Sequence, residues 1–222
     1  VNSINWARII AQSVYYFYCY FLIEDNNKPI NFSVPTGNFG DVYAGYLAKK
    51  IGLPINKFIV ATNQNDILHR AITNGAYNVE NVLETISPSM DIQIASNFER
   101  LIFDLNNHSD KKTIEVMKGI KEKGKYEIQK ENLDKINANF LSSRMDENEI
   151  LNTIKIVYEK YNKVLDPHSA IGFGAFDKVN LKGNNIVLAT AHPCKFPDAI
   201  EKAINLKSVL PDELAFVLGE KE

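Results

Sequence analysis

Apolar positions along the chain follow two patterns, which predict strands and helices in alternation. Short runs rich in β-branched and aromatic residues lie at 30–34 and 57–61, and they predict buried strands. Between them, residues 42–51 have the composition of a helix, and Gly52 is placed to end it. Strands joined by a helix in this order pair in parallel. We therefore predict an α/β fold with helices packed on a parallel sheet.

The rest of the chain continues this alternation of helices and strands, with a polar, helix-rich segment in its middle. Further predicted elements are helices at 4–23, 66–73, 170–177 and 197–204 and a strand at 185–189. Between residues 106 and 164 the chain is rich in Lys, Glu, Asp and Asn, and apolar residues recur at helical spacing over 147–164. We predict three parts: an α/β part over 1–105, a helical insertion over 106–164, and a C-terminal α/β part over 165–222 that completes the domain.

The turn after the first predicted strand is the feature that most directly predicts chemistry. The strand ends in Pro-Thr-Gly-Asn-Phe-Gly at residues 35–40, and a helix follows. Such a turn presents backbone N–H groups and the positive end of a helix dipole to one anion. Gly37 and Gly40 let the backbone approach the anion or adopt positive φ, and Asp41 is a predicted N-cap. We therefore predict a phosphorylated ligand, with a plain connecting turn as the alternative. Neither a dinucleotide fingerprint nor a P-loop is present.

Composition and charge exclude several classes of function. The net charge of −2 provides no basic field for nucleic acid. The most apolar run, residues 14–23, is shorter than the roughly 20 residues that span a bilayer, so we predict no membrane segment. Cys19 and Cys194 lie far apart without metal-ligand spacing. They favour reduced thiols, from which we predict a cytoplasmic protein with no metal site.

The turn is part of a longer string of residues that matches a known enzyme family. Ser-Val-Pro-Thr-Gly-Asn-Phe-Gly-Asp at 33–41 is followed by Ala-Gly-Tyr-Leu-Ala-Lys-Lys at 44–50 and Gly-Leu-Pro at 52–54. Matching segments in the same order are 2–8 with Gln12, 58–66, 87–92, 96–100, 166–170 and 190–196. Together they resemble threonine synthase, a pyridoxal-phosphate (PLP) enzyme of fold type II. The resemblance implies a partial fold-type-II sheet domain, interrupted by the helical insertion of the longer type of threonine synthase.

The resemblance implies PLP as the cofactor. In this family the Gly-Asn-Phe-Gly turn holds the PLP phosphate, and the corresponding residues are Gly37, Asn38, Phe39 and Gly40. Thr190, at the end of a predicted strand, is implied to meet the pyridine nitrogen of PLP. A neutral hydroxyl there leaves that nitrogen less protonated than a carboxylate would. Taken without the family, the local pattern favours a Thr190 that only caps the following turn.

Ser3 and Arg8 are the residues that the resemblance places at the phosphate of the substrate. Side chains five positions apart on one helix do not share a face well. If Ser3 lies at or before the N-cap, its hydroxyl and the guanidinium of Arg8 can reach one anion. An ordinary surface ion pair is the alternative for Arg8. The reaction implied is the conversion of O-phospho-L-homoserine and water to L-threonine and phosphate.

Other polar residues in the matching segments have competing interpretations. A carboxylate repels a phosphate, so capping is the favoured role of Asp41. His168 and His192 allow acid–base roles, although structural hydrogen bonds are favoured for both. Lys195 lies in a family motif but not at the position of the Schiff-base lysine.

The family needs a lysine that forms a Schiff base with PLP, in a Phe-Lys-Asp-type segment of its N-terminal region. This sequence contains no such segment. We therefore predict that the chain is the C-terminal portion of the enzyme, that the missing N-terminal half is its partner, and that the isolated chain is inactive. A decayed gene product is one alternative. A complete, non-catalytic protein that binds a phosphometabolite is a second, and another fold-type-II activity, such as dehydration of an amino acid, is a third.

Overall fold

The computed structural model describes residues 5–25, 27–207, 210–212 and 215–216. Helices and strands alternate along most of it. In chain order they are α1 (Trp6–Phe21), β1 (Ile30–Pro35), α2 (Gly40–Ile51), β2 (Ile55–Thr62), α3 (Ile67–Asn74), β3 (Ala76–Asn78), α4 (Phe98–Leu105), α5 (Asp110–Lys123), β4 (Lys125–Glu127), α6 (Lys130–Asn139), β5 (Phe140–Arg144), α7 (Glu147–Tyr161), α8 (Pro167–Val179), β6 (Asn184–Val187) and α9 (Pro197–Ile204). Two short 3₁₀ turns lie at Pro88–Met90 and Pro193–Lys195.

A four-stranded parallel sheet in the order β5-β2-β1-β6 forms the centre of the fold. The chain runs outward from β1 through β2 to β5, and then returns to place β6 on the other side of β1. In open parallel sheets, the crevice beyond the carboxyl ends of the strands at such a reversal is where ligands bind. Here it lies between the ends of β1 and β6.

Side chains of β1 alternate between two apolar cores. Phe32 faces the first core, where its ring centroid lies 4.8 Å from that of Tyr16 on α1. Ser33 faces the opposite side, and its hydroxyl donates to the carbonyl of Gly172 on α8 over 2.6 Å. All six residues of β1 are buried. The sheet is therefore the middle of three layers, with α1 and α2 on one face and α7 and α8 on the other.

Helix α1 packs one face on the domain and exposes the other. Ile9 and Tyr16 are buried, and the ring of Tyr16 lies so close to Gly45 of α2 that a Cβ there would be 2.4 Å from it. The opposite face carries an apolar stripe of exposed side chains, comprising Ile10, Val14, Tyr18 and Phe21. This stripe is part of the outer surface of the described chain.

The α/β fold with a parallel sheet is confirmed. The predicted strand at 30–34 extends by one residue, and the one at 57–61 extends by two residues at its start and one at its end. The predicted helical insertion over 106–164 contains β5, a strand of the central sheet that the sequence analysis did not identify. Helix α4 and the antiparallel pair of β3 and β4 were also not predicted from the sequence. The division into three parts itself stays a prediction.

Candidate active site

The turn between β1 and α2 forms a small cradle lined by backbone. It surrounds a cavity of about 130 Å³ lined by residues 35–42. Within the described residues, no hydrogen bond is made by the backbone N–H groups of residues 37–42. These donors stand at the first turn of α2, where the helix dipole is positive. The cradle therefore has the donors and the field that bind an anion.

The conformation of the cradle depends on Phe39 and Gly37. Phe39 is the N-cap of α2 and has a left-handed φ of 63°. Its buried ring packs edge-on against Phe98, with 5.2 Å between the ring centroids. Neither Gly37 nor Gly40 has positive φ, so that part of the expectation is wrong. Gly37 is needed for close approach, since a Cβ there would lie 2.8 Å from the carbonyl oxygen of Ser89.

Asn38 uses its side chain to hold a neighbouring segment. Its Oδ1 accepts hydrogen bonds from the hydroxyl of Ser96, at 2.7 Å, and from the Ser96 backbone N–H. Its backbone carbonyl accepts from the N–H of Asn97. The side-chain oxygen is thus committed to the protein, and the backbone N–H is a donor that Asn38 offers to a ligand.

Asp41 is not the N-cap of α2, and this prediction is wrong. The helix begins at Gly40 because Phe39 takes the capping position in a left-handed conformation, which places Asp41 inside the first turn. Asp41 lines the cradle, and the partial burial of its carboxyl raises the pKa to about 6, partly offset by a hydrogen bond from Tyr16. A carboxyl with this pKa is mostly ionised at neutral pH, and its charge opposes an anion in the cradle.

Thr190 lines a second cavity, which adjoins the cradle. The cavity measures about 190 Å³ and shares Pro35 and Gly37 with the cradle. Thr190 lines it from the segment after β6, together with Ser89. The neighbouring strands β1 and β6 thus lead into two adjoining cavities. The predicted phosphate-binding turn follows β1, and the residue predicted to bind the PLP ring follows β6.

The other residues around this second cavity differ in exposure. His168 is buried on α8, and its ring centroid lies 4.9 Å from that of Phe196. Lys195 is exposed, and among the described residues it is the one lysine that lines either cavity. His192 is also exposed, and its ring caps the 3₁₀ turn Pro193–Lys195 by accepting from the N–H of Cys194.

Of the two residues predicted at the substrate phosphate, Ser3 lies outside the described residues. Arg8 is exposed on the first half of α1. That end of α1 lies beside the helix that begins at the cradle, because the ring centroid of Trp6 is 6.4 Å from that of Tyr43 on α2. The role of both residues at a phosphate stays a prediction.

A buried carboxylate behind the second cavity is a feature that the sequence analysis missed. Asp166 caps α8 and accepts hydrogen bonds from both His168 and Ser169. The matching segment 166–170 drew attention to His168 alone. The signal was available, since Asp followed by Pro is a typical helix start in which the Asp side chain caps the helix.

Neither a metal centre nor a membrane span is found among the described residues. No group of three or more His, Cys, Asp or Glu side chains in this part of the chain is placed to hold a metal ion. No described helix is long and apolar enough to cross a membrane.

Comparison with known proteins gives one consistent family. The family described as "Threonine synthase, C-terminal" matches residues 169–222. Among curated proteins, threonine synthase of Pseudomonas aeruginosa is 44% identical over 100% of this chain and 48% of its own length. Threonine synthase of Saccharomyces cerevisiae is 43% identical over 96% of this chain and 47% of its own length.

Solved structures agree with the sequence comparison. A PLP-bound threonine synthase from Brucella melitensis superposes with a TM-score of 0.95 at 46% identity, covering 100% of this chain and 48% of that one. The chain thus spans about half the length of the relatives it matches. The agreement confirms the fold-type-II class that the resemblance implied, and over its whole length the chain is similar to threonine synthases.

Proposed function

We propose that the chain is the C-terminal portion of a threonine synthase that uses PLP to convert O-phospho-L-homoserine and water to L-threonine and phosphate. The observation that carries the proposal is the cradle at residues 37–42, whose backbone N–H groups have no partner among the described residues. It adjoins a second cavity that Thr190 lines. A phosphate joined to a flat ring fits a backbone cradle beside a separate cavity that a threonine lines.

The residues of the chain hold the cofactor in two places. Backbone N–H groups of Gly37, Asn38, Phe39 and Gly40 bind the PLP phosphate at the N-terminus of α2. The hydroxyl of Thr190 meets the pyridine nitrogen. When bound, PLP supplies an electron sink that stabilises negative charge on carbon atoms next to the amino group of the substrate. A neutral Thr190 partner keeps the pyridine nitrogen less protonated and so moderates that sink.

The substrate phosphate is bound by Arg8, which lies near the start of α1, and by Ser3. Support comes from the position of Arg8, which is exposed two residues after Trp6, at the end of α1 that lies beside α2. A guanidinium pairs well with a phosphate, and it keeps its charge through the release of phosphate.

The Schiff-base lysine comes from the portion of the enzyme that corresponds to the other half of the relatives. Two surface features support such a partner. The exposed apolar stripe on α1 (Ile10, Val14, Tyr18 and Phe21) is of a kind that marks an interaction surface. The strands β5 and β6 are open edges of the sheet among the described residues.

The location that we propose is cytoplasmic. Both cysteines, Cys19 and Cys194, are free thiols, as expected in a reducing compartment.

A chimera tests the proposed function directly. This chain replaces the matching half of the Pseudomonas aeruginosa enzyme, and phosphate and threonine formed from O-phospho-L-homoserine are measured. We expect turnover by the chimera, none by the isolated chain, and none by a chimera that also carries Arg8→Glu. A chimera that folds and binds PLP but forms no threonine would contradict the proposal.

A second function, non-catalytic binding of a phosphometabolite, is supported by the fact that both cavities lie within this chain. In that case the isolated chain binds a phosphorylated metabolite saturably and the chimera is inactive.

A further inference from the structure

A buried carboxylate, Asp166, lies behind the second cavity and accepts hydrogen bonds in two directions. Its Oδ1 accepts from the backbone N–H of His168 and lies 3.0 Å from the ring nitrogen Nδ1 of the same residue. Its Oδ2 accepts from the hydroxyl and the backbone N–H of Ser169. All three residues are at least 96% buried, so these contacts are shielded from water.

The first branch runs through His168 to Ser89. The ring nitrogen Nε2 of His168 accepts a hydrogen bond from the backbone N–H of Ser89 over 3.3 Å. An accepting Nε2 carries no proton, so the proton of the neutral ring is on Nδ1, which donates it to Asp166. Asp166 thus selects the tautomer that can hold Ser89.

The second branch runs through Ser169 to Thr190. The hydroxyl of Ser169 donates its proton to Asp166, which leaves its oxygen lone pairs for the backbone N–H of Thr190, at 3.1 Å. Thr190 is otherwise in an exposed segment after β6. The hydrogen bond that its backbone N–H donates to Ser169 therefore fixes its main chain against α8.

The two branches end on two residues that line the same cavity, Ser89 and Thr190. The carbonyl of Ser89 also lies close to Gly37 of the cradle, where a Cβ would be 2.8 Å from its oxygen. We propose that Asp166 is a positioning residue that sets the spacing between the phosphate cradle and Thr190, by holding Ser89 through His168 and Thr190 through Ser169. This role of Asp166 depends on the proposed function in one respect only, which is that PLP is the molecule that fills the cavity.

Burial raises the pKa of Asp166, but the hydrogen bonds from His168 and Ser169 outweigh this, and the net effect lowers it. Asp166 therefore stays ionised at neutral pH, as an acceptor in both directions must.

Amide hydrogen exchange on the full chain, measured by NMR, tests the network without any ligand. We expect Ser169→Ala to lower protection at the N–H of Thr190 by about tenfold or more and to leave Ser89 unchanged. His168→Ala removes the ring nitrogen that accepts from the Ser89 N–H. It should therefore lower protection against exchange at Ser89 and leave Thr190 unchanged. Asp166→Asn keeps a capping oxygen for α8, but its NH₂ group can face only one branch as a donor, so it should lower protection at one or both of these amides.

Ser33→Ala is the matched control. It removes a buried serine hydroxyl that also bonds to α8, at the carbonyl of Gly172, but has no link to Ser89 or Thr190. Protection against exchange at Thr190 is compared with that of core amides in each variant. If Ser33→Ala lowers it as much as Ser169→Ala does, the network only stabilises the fold, and the proposal is overturned. Unchanged protection at Thr190 in Ser169→Ala overturns it as well.

Ligand binding gives the second readout. Ser169→Ala should leave the affinity for inorganic phosphate unchanged, because the cradle is intact in this variant. It should weaken binding of PLP by about tenfold and shift the absorbance band of bound PLP, because the main chain of Thr190 is no longer held. Equal losses for both probes would overturn the proposal. If the wild-type chain binds neither probe, the chimera decides whether the chain uses PLP, and the exchange measurement alone decides the role of Asp166.

Discussion

The hydroxyl of Tyr16 donates a hydrogen bond to the backbone carbonyl of Asp41 over 2.8 Å and lies 3.3 Å from Asp41 Oδ1. This pair joins the middle of α1 to the first turn of α2, directly beside the cradle. The phenol is fully buried, whereas Asp41 is half-buried, and this partial burial raises the pKa of its carboxyl.

The raised pKa of Asp41 predicts a dependence of stability on pH. Burial raises this pKa to about 6 in the folded chain, above the ordinary value of roughly 3.9 in the unfolded one. The folded state therefore holds the proton more tightly, and stability is lost as the pH rises from about 4 through about 6. Asp41→Asn should abolish this loss, raising the free energy of unfolding at pH 7.5 by roughly 3 kcal/mol and by much less at pH 4.

Urea unfolding at the two pH values measures the effect. Asp177→Asn, an exposed change on α8, is the control and should shift neither midpoint. The same gain at both pH values for Asp41→Asn would contradict the assignment. The asparagine variant should also bind inorganic phosphate more tightly at pH 7.5, because the charge that opposes it in the cradle is gone.

A methyl group at Gly37 should damage the cradle. Its Cβ would lie 2.8 Å from the carbonyl oxygen of Ser89 and 3.2 Å from the Cα of Met90, and neither main-chain atom can move without displacing the turn. Gly37→Ala should destabilise the chain by about 1–3 kcal/mol and weaken phosphate binding by about tenfold or more. Gly119→Ala is the matched control, since nothing lies within 4 Å of its Cβ on α5. It should stabilise the helix by up to about 1 kcal/mol and leave phosphate affinity unchanged.

The buried ring of Phe39 should be essential to the turn. Phe39→Ala removes its contacts with Phe98 and Phe140 but keeps a Cβ, so the left-handed conformation remains unfavourable. We expect a loss of about 3–5 kcal/mol in the free energy of unfolding, together with weaker phosphate binding. Phe21→Ala, which removes a ring that is 76% exposed, should change stability by less than about 0.5 kcal/mol. Comparable losses in the two variants would show that the ring does not support the cradle.

Reduction with borohydride in the presence of PLP tests for a Schiff-base lysine. We expect no stoichiometric adduct at a unique lysine, as judged by intact mass and peptide mapping. Lys195 lines the second cavity and is the residue most exposed to partial labelling, which Lys195→Arg should remove. Full labelling of one lysine that Gly37→Ala abolishes would show that this chain builds its own covalent site, against the prediction.

Local signals were sufficient for the turn that carries the site. The β-rich run at 30–34, the Gly-Asn-Phe-Gly string and the helix after it are contiguous, and the structure shows β1, the cradle and α2 within one to two residues of their predicted bounds. The capping role of Asp41 was wrong because Phe39 occupies a backbone conformation that is unusual for a large side chain. Its support comes from Phe98 and Phe140, far along the chain.

Contacts between distant segments account for what the sequence did not predict. Strand β5 is short and carries Ser142, Ser143 and Arg144, so its composition is not that of a buried strand, and only its pairing with β2 makes it one. The hydrogen bond from the Thr190 N–H to the Ser169 hydroxyl likewise joins residues, 21 positions apart, that no local pattern relates. Periodicity and turn residues report on neighbours in sequence, whereas these features depend on neighbours in space.

The return of β6 to the side of β1 also sets an order of assembly. Ser33 pairs with Val187, so the cradle and the wall that faces it come from segments about 150 residues apart. During synthesis the cradle emerges from the ribosome long before Thr190 exists. The second cavity can close only after the last strand has crossed over and docked, at the entropic expense of a long loop. Occupancy of that cavity is therefore a readout of completed folding, and a nascent chain stalled before residue 184 would carry the anion cradle without its opposite wall.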